Sequence, residues 1–206
     1  AAGIRKPLLL MGPADDNDLL EVARHDIGFM TYTARAPALE RAAAQSGRAM
    51  RIHVCVDTGL GRVGVPYGRA FDLVRELARA RNVQIDGLMM TFTEDQAFDR
   101  EQLRRFNALV SQLDGAGVRT GAKHAASSYT LFQHPDAFLD AVRTGMVLYG
   151  IYPEPAFRKA PPLDLVPAIA LKARIAYVKQ LQAGESAGYN RAYTAPGRVW
   201  IATLPE

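Results

Sequence analysis

Between residues 7 and 151, short apolar runs of β type alternate with longer stretches whose apolar positions recur every three or four residues. PLLLMGP (7–13), closed by glycine and proline, precedes NDLLEVARHD, where Leu19, Leu20, Val22 and Ala23 mark one helix face. IGFMTYT (27–33) is followed by the alanine-rich ALERAAAQSG (38–47), with Gly47 placed as a helix stop. MRIHVCVDTG (50–59) pairs with YGRAFDLVRELARARN (67–82), and IDGLMMTFT (85–93) with DREQLRRFNALVSQLDGAG (99–117). VRTGAKHAASS (118–128) with a short helix near 136–140, then AVRTGMVLYGI (141–151), supply a fifth unit and a sixth strand. Six strands alternating with helices predict a parallel α/β sheet, either doubly wound or a barrel.

The pattern changes after Tyr152. PEPAFRKAPPLDLVPA (153–168) carries five of the twelve prolines and predicts a linker or domain edge. From Ile169 onward, apolar and polar residues alternate between turns at Ala-Gly and Pro-Gly, which predicts antiparallel strands. The expected organisation is a barrel-type unit over 1–152, an edge over 153–168 and the start of a β-rich unit over 169–206. A closed barrel needs eight strands, so six predict an incomplete one.

Composition narrows the function classes. With 49% hydrophobic and 22% charged residues, the chain has the balance of a folded globular protein. Its net charge of +4 comes from scattered arginines and lysines, without a run of five like charges, so nucleic acid is not an expected partner. One cysteine, Cys55, allows neither an internal disulfide nor a cysteine-rich zinc site and fits a reducing compartment. No apolar stretch approaches the ~20 residues that span a bilayer, and the expectation is a cytoplasmic protein without a membrane or metal partner.

Gly59-Leu60-Gly61-Arg62-Val63-Gly64 spells G-x-G-x-x-G between an apolar run and a helical one. A dinucleotide loop would place a pyrophosphate on these amides, but Asp57 stands just before the first glycine and would repel it. The acidic residue such a loop needs on the next strand is also misplaced, since Asp86 begins that strand and Glu94 follows it. Glycines shaping a tight loop beside a barrel rim fit better, although they leave Arg62 unexplained.

The segment HVCVDTGLGRVGV (53–65) resembles the "H-x-K-V-D-T-G-M-G-R-x-G" segment of the alanine racemases, pyridoxal-phosphate (PLP) enzymes with a barrel domain and a β-rich second domain. GLMMTFTEDQAFDREQLRRF (87–106) resembles that family's sixth barrel strand and helix. KHAASSYTLFQHPDAFLDAVRTGMVLYGIYP (123–153) resembles "H-x-A-N-S-A-A" followed by "V-R-P-G-I-x-L-Y-G", and LQAGESAGYNRAYTAP (181–196) the "G-x-x-V-x-Y-G" segment. Four motifs occur in the family's order. The resemblance implies an incomplete (β/α)8 barrel holding strands three to eight, followed by the start of the β domain. None of the five lysines falls in a "K-A-N-A-Y-G" segment, whose lysine carries PLP in the family, so racemisation by this chain alone is not expected.

The resemblance also implies roles. Arg143 matches the arginine that faces the pyridine nitrogen of PLP; unable to give up its proton near neutral pH, it would leave that nitrogen unprotonated. Ser128, with the backbone amides of Gly145 and Met146, matches the phosphate cradle. Tyr189 matches the catalytic tyrosine, which in the family reaches the site from the partner subunit of a homodimer. Arg62 matches the arginine that approaches the phenolic oxygen and the carboxylate of the amino-acid substrate. The residues alone leave other roles open: a salt-bridging arginine, a helix cap at Ser127-Ser128 and a strand-edge aromatic beside Gly188. Four positions depart from the pattern: Cys55 replaces a lysine, Thr91 a histidine expected to orient Arg143, Ser127 an asparagine and Asn190 a glycine. The implied function is PLP-dependent racemisation of an amino acid, alanine first. The alternative is a non-catalytic PLP-binding or assembly module.

Overall fold

A computed structural model describes residues 3–159 and 163–205. It separates into two compact units, one ending at Val166 and the other beginning at Pro167.

The first unit is an open half-barrel. Its strands are β1 (Leu9–Leu10), β2 (Gly28–Thr31), β3 (Met50–Asp57), β4 (Val65–Pro66), β5 (Val83–Met89) and β6 (Ala122–His124). They pair in the order β1-β2-β3-β5-β6, with β4 beside the end of β3, and every pairing is parallel. A doubly wound sheet would reverse this order at a switch point; here the order simply follows the chain, as in a barrel.

The helices α1 (Asp18–Arg24), α2 (Ala36–Ser46), α3 (Tyr67–Arg79) and α4 (Gln96–Gly115) connect successive strands. Gly47 ends α2 at φ 67°, a left-handed stop that costs glycine little. α4 starts three residues before its expected position because the Asp95 carboxylate caps it, accepting from Ala97 N (3.1 Å) and Phe98 N (2.9 Å). Leu19, Leu39, Leu77, Phe106 and Leu113 from these helices pack against Met50, Ile52, Val54 and Val56 of β3 in one core. The alternate residues of β3, Arg51, His53, Cys55 and Asp57, belong to the other face of the sheet. That face carries the polar residues of β3 beside a small apolar cluster of Met30, Cys55 and Met89, and stands where a barrel has its interior.

The sixth strand does not form as expected. AVRTGMVLYGI contributes one parallel bridge, Ala141 to His124, and then turns into a 3₁₀ helix at Met146–Tyr149 that ends on Gly150 at φ 72°. The short helix near 136–140 is replaced by α5 (Thr130–Gln133) and a 3₁₀ turn at Pro135–Ala137.

The second unit holds two antiparallel pairs. β7 (Tyr177–Leu181) pairs with β10 (Val199–Thr203), and β8 (Ser186–Ala187) with β9 (Tyr193–Thr194). Leu181 and Ala195 are its buried apolar residues among those described, while Leu171 and Trp200 are 99% and 69% exposed.

Candidate active site

The glycine loop begins where β3 ends. The Asp57 carboxylate turns back and accepts from the amides of Gly59 (2.9 Å) and Gly61 (3.1 Å). Those amides are the ones a dinucleotide loop would offer to a pyrophosphate, so the loop is a carboxylate-closed turn. Gly59 and Gly64 lie at φ 141° and 136°, and a Cβ on either would come within 2.6 Å of the Phe98 ring or of Asp57 N. Arg105 and Gln102 of α4 clasp the loop's start, donating to Thr58 O (2.9 Å) and Thr58 Oγ1 (3.0 Å). Arg62 is carried outward on this turn, exposed and without a partner among the described residues.

Cys55 lies beneath this loop with Met30 and Met89, its thiol directed at Val63 O (3.6 Å). Burial raises the thiol's pKa to about 11, and the nearby Arg143 charge only partly opposes this. The thiol stays neutral and supplies Arg62 with no anionic support.

Arg143 is fixed by acceptors on two segments, 90–91 and 124–125. One terminal nitrogen donates to His124 O (2.7 Å) and lies 2.8 Å from His124 Nδ1; the other donates to Met90 O (2.7 Å), Ala125 O (3.3 Å) and Thr91 Oγ1 (3.4 Å). Thr91 therefore touches Arg143 although it is not a histidine. Burial lowers the guanidinium's pKa from its usual range, but arginine remains charged in proteins. Its Nε–H is the donor left over among the described residues.

Ser128 stands across from this arginine, and its Oγ accepts from Gly145 N (3.0 Å) and Val147 N (3.4 Å). With both lone-pair directions used, the hydroxyl proton has no acceptor among the described residues and is available to a ligand. Ser127 does the capping job, its Oγ accepting from Thr130 N (3.4 Å) at the start of α5. Ser128, Arg143, Gly145 and Met146 line one pocket of about 260 Å³, together with Glu94, Tyr129 and Pro153. A hydroxyl proton, the Met146 amide at the start of the 3₁₀ helix and a guanidinium form a donor set suited to an anionic, heteroaromatic ligand. Glu94 is the carboxylate on the wall; it is exposed, so solvent screens it.

Tyr189 belongs to the second unit. It opens a 3₁₀ turn at Tyr189–Arg191 and is 96% exposed. Asn190 has φ 56°, a left-handed value that asparagine tolerates better than most residues, which explains how it can stand in a glycine position. Arg191 shares that conformation and is held by bonds to Ser186 Oγ (3.2 Å) and Gly184 O (3.0 Å). Tyr193, by contrast, lies in β9.

The pocket thus gathers four of the six candidates, Ser128, Arg143, Gly145 and Met146, and leaves Arg62 on its loop and Tyr189 in the other unit. His124 and His53 were not among the candidates. The signal was present in β3, where Arg51, His53, Cys55 and Asp57 place four polar or reactive side chains on one face of a strand type that is usually apolar on both.

An open parallel barrel with a donor-lined pocket beside its strand ends, followed by a β-rich unit, defines a barrel-plus-β-domain architecture. The chain belongs to the alanine racemase family: the "Alanine racemase, N-terminal domain" model matches residues 1–153 and the "Alanine racemase, C-terminal domain" model residues 168–206. It is 37% identical over 208 residues to the alanine racemase of Symbiobacterium thermophilum, covering 98% of this chain and 55% of that protein. For the alanine racemase of Desulfovibrio desulfuricans the identity is 34%, over 100% of this chain and 56% of the relative. The crystal structure of alanine racemase from D-cycloserine producing Streptomyces lavendulae superposes with a TM-score of 0.84 at 29% identity, over 98% of this chain and 55% of that one. The chain spans about half the length of the curated relatives it matches.

Proposed function

We propose that the protein containing this chain is a PLP-dependent amino-acid racemase, with alanine as its substrate, acting as a homodimer. The observation that carries the reading is the pocket lined by Ser128, Arg143, Gly145 and Met146, where neither the Ser128 hydroxyl proton nor Arg143 Nε–H has an acceptor among the described residues. The names of the relatives, alanine racemase, support alanine as the substrate.

PLP, when bound, would withdraw electrons from Cα of an attached amino acid and so make its hydrogen removable. The chain's residues do the remaining work. Ser128 and the Met146 amide would bind the phosphate; the Gly145 amide, already bonded to Ser128 Oγ, orients that hydroxyl. Arg143 would donate to the ring nitrogen while holding its own proton. Tyr189 Oη moves a proton on one face of Cα, contributed by the partner subunit of the dimer. An ordinary phenol with a pKa near ~10 is a weak base, so a cation must help it, and Arg62 is the candidate for that task and for the substrate carboxylate.

This chain alone is expected to be inactive, because no lysine in it matches the family's PLP lysine. The test is racemisation of L-alanine with added PLP, by residues 1–206 and by a polypeptide that also carries the lysine segment. Activity in the longer protein only is the expected result. Racemisation by residues 1–206 overturns the need for that lysine, and PLP binding without racemisation by the longer one favours a non-catalytic module.

A further inference from the structure

We propose that His53 is a positioning residue for Arg143, acting through His124 across the width of the half-barrel. The proposal rests on reading Arg143 as the residue that faces the cofactor ring.

His53 leaves β3, passes over β5 and places Nδ1 2.7 Å from Nε2 of His124 on β6, while His124 Nδ1 lies 2.8 Å from an Arg143 terminal nitrogen. The two rings meet edge to face, with centroids 4.9 Å apart at 62°. The direction of every proton in this chain follows from its last member. Guanidinium nitrogens only donate, so His124 Nδ1 accepts; Nε2–H of His124 then donates, and His53 Nδ1 accepts. Both rings are therefore neutral Nε2–H tautomers. If His124 carried its proton on Nδ1 instead, it would confront Arg143 donor to donor and release one corner of the guanidinium. Only the His53 acceptor specifies against that state from the far side.

The strand between the histidines is built to let them touch. β3 and β5 run in register to Ile52↔Ile85 and then skip to His53↔Gly87, leaving Asp86 as the extra residue of a bulge. At Gly87 a Cβ would lie 2.3 Å from His53 Nδ1 and 2.7 Å from Ala122 O, so the ring occupies the space a side chain would need. The acidic group near His53 is already engaged: Asp86 accepts from Arg51 Nε (2.5 Å) and Gln84 Nε2 (2.6 Å). Burial lowers the pKa of both histidines, His124 to about 3, in keeping with neutral rings.

The first measurement is the side-chain ¹⁵N spectrum of the histidines in the full-length protein near pH 7. Neutral Nε2–H tautomers at both positions are expected, and Nδ1–H or a charged ring at His124 overturns the proposal. The second compares His53→Phe with His53→Gln, whose amide oxygen can still accept from His124. His53→Phe should lower kcat on the order of tenfold, leave KM for alanine unchanged and alter the bound cofactor's absorbance. His53→Gln should recover most of the loss, and Gly87→Ala should behave like His53→Phe. A His53→Phe protein with the parent's kcat and spectrum refutes the role. Should the variant not fold, the unmodified protein's tautomers still decide. A parent that binds no PLP would fail the proposed function instead, and the ¹⁵N tautomers would then test the histidine relay by themselves.

Discussion

The two units present their candidate residues in opposite ways. In the half-barrel, Arg143 is held by backbone carbonyls of Met90, His124 and Ala125, and Ser128 by two amides, so the geometry comes ready-made from contacts within the unit. In the strands after Pro167, Tyr189 is nearly fully exposed on a turn held by local bonds of Arg191, in a region whose buried apolar residues, among those described, are Leu181 and Ala195. A rigid donor set suits a group that must remain bound in one pose. Under the proposed function, the ready-made donors would hold the cofactor and the exposed phenol would move the proton.

The strongest way to break this division is Tyr189→Phe in a protein that also carries the PLP-lysine segment. PLP should remain bound while turnover falls by roughly 10²–10⁴-fold, the range for losing a positioned acid or base. Pairing that variant with a lysine-deficient one in mixed dimers should restore one working site per dimer; inactive heterodimers would count against a shared site. Next in size is the packing contrast. Phe106, fully buried beneath the sheet, should cost about 3–5 kcal/mol when cut to alanine, whereas Trp200→Ala, at an exposed position, should stay within about 0.5 kcal/mol. Urea melts of both variants test this, and equal losses would show that Trp200 is buried in the assembled protein.

A smaller effect is expected from acid. His124 binds its proton at about 3 when folded but near the ordinary imidazole value of 6.5 when unfolded. The unfolded chain therefore takes up the proton first, so stability is full above about 6.5 and declines as pH falls toward 3. His124→Gln should flatten part of that decline in urea midpoints measured from pH 7 to pH 4, and an unchanged slope would assign it to other groups. The gentlest prediction concerns Ser128→Ala, which should weaken PLP binding by roughly tenfold through loss of one charge-assisted bond worth about 1.5 kcal/mol. Its bound spectrum should match the parent's, since the ring nitrogen is untouched.

The βα alternation was legible because every helix carries a regular apolar face, and Gly47 announced its own stop. AVRTGMVLYGI misled because an apolar run of that length reads as a strand, whereas its amides at Gly145 and Val147 turn toward Ser128 and leave the ladder. The pocket residues were found by resemblance, as nothing in the spacing of Ser128 and Arg143 reveals that they share a cavity. The histidine pair was beyond reach for another reason. His53 and His124 are 71 positions apart, and their contact depends on a bulge that appears only once β5 is paired.

The Asp57-closed turn has a consequence for how Arg62 can recognise anything. Its backbone is tied at both ends, by Asp57 to the amides of Gly59 and Gly61 and by the tight seat of Gly64, so little loop motion remains to be lost on binding. The entropy surrendered when an anion captures Arg62 is then confined to the side chain's own torsions, about 2 kcal/mol at most. Lengthening the turn by one residue would add backbone freedom to that sum. It should weaken capture of a carboxylate without removing a single contact.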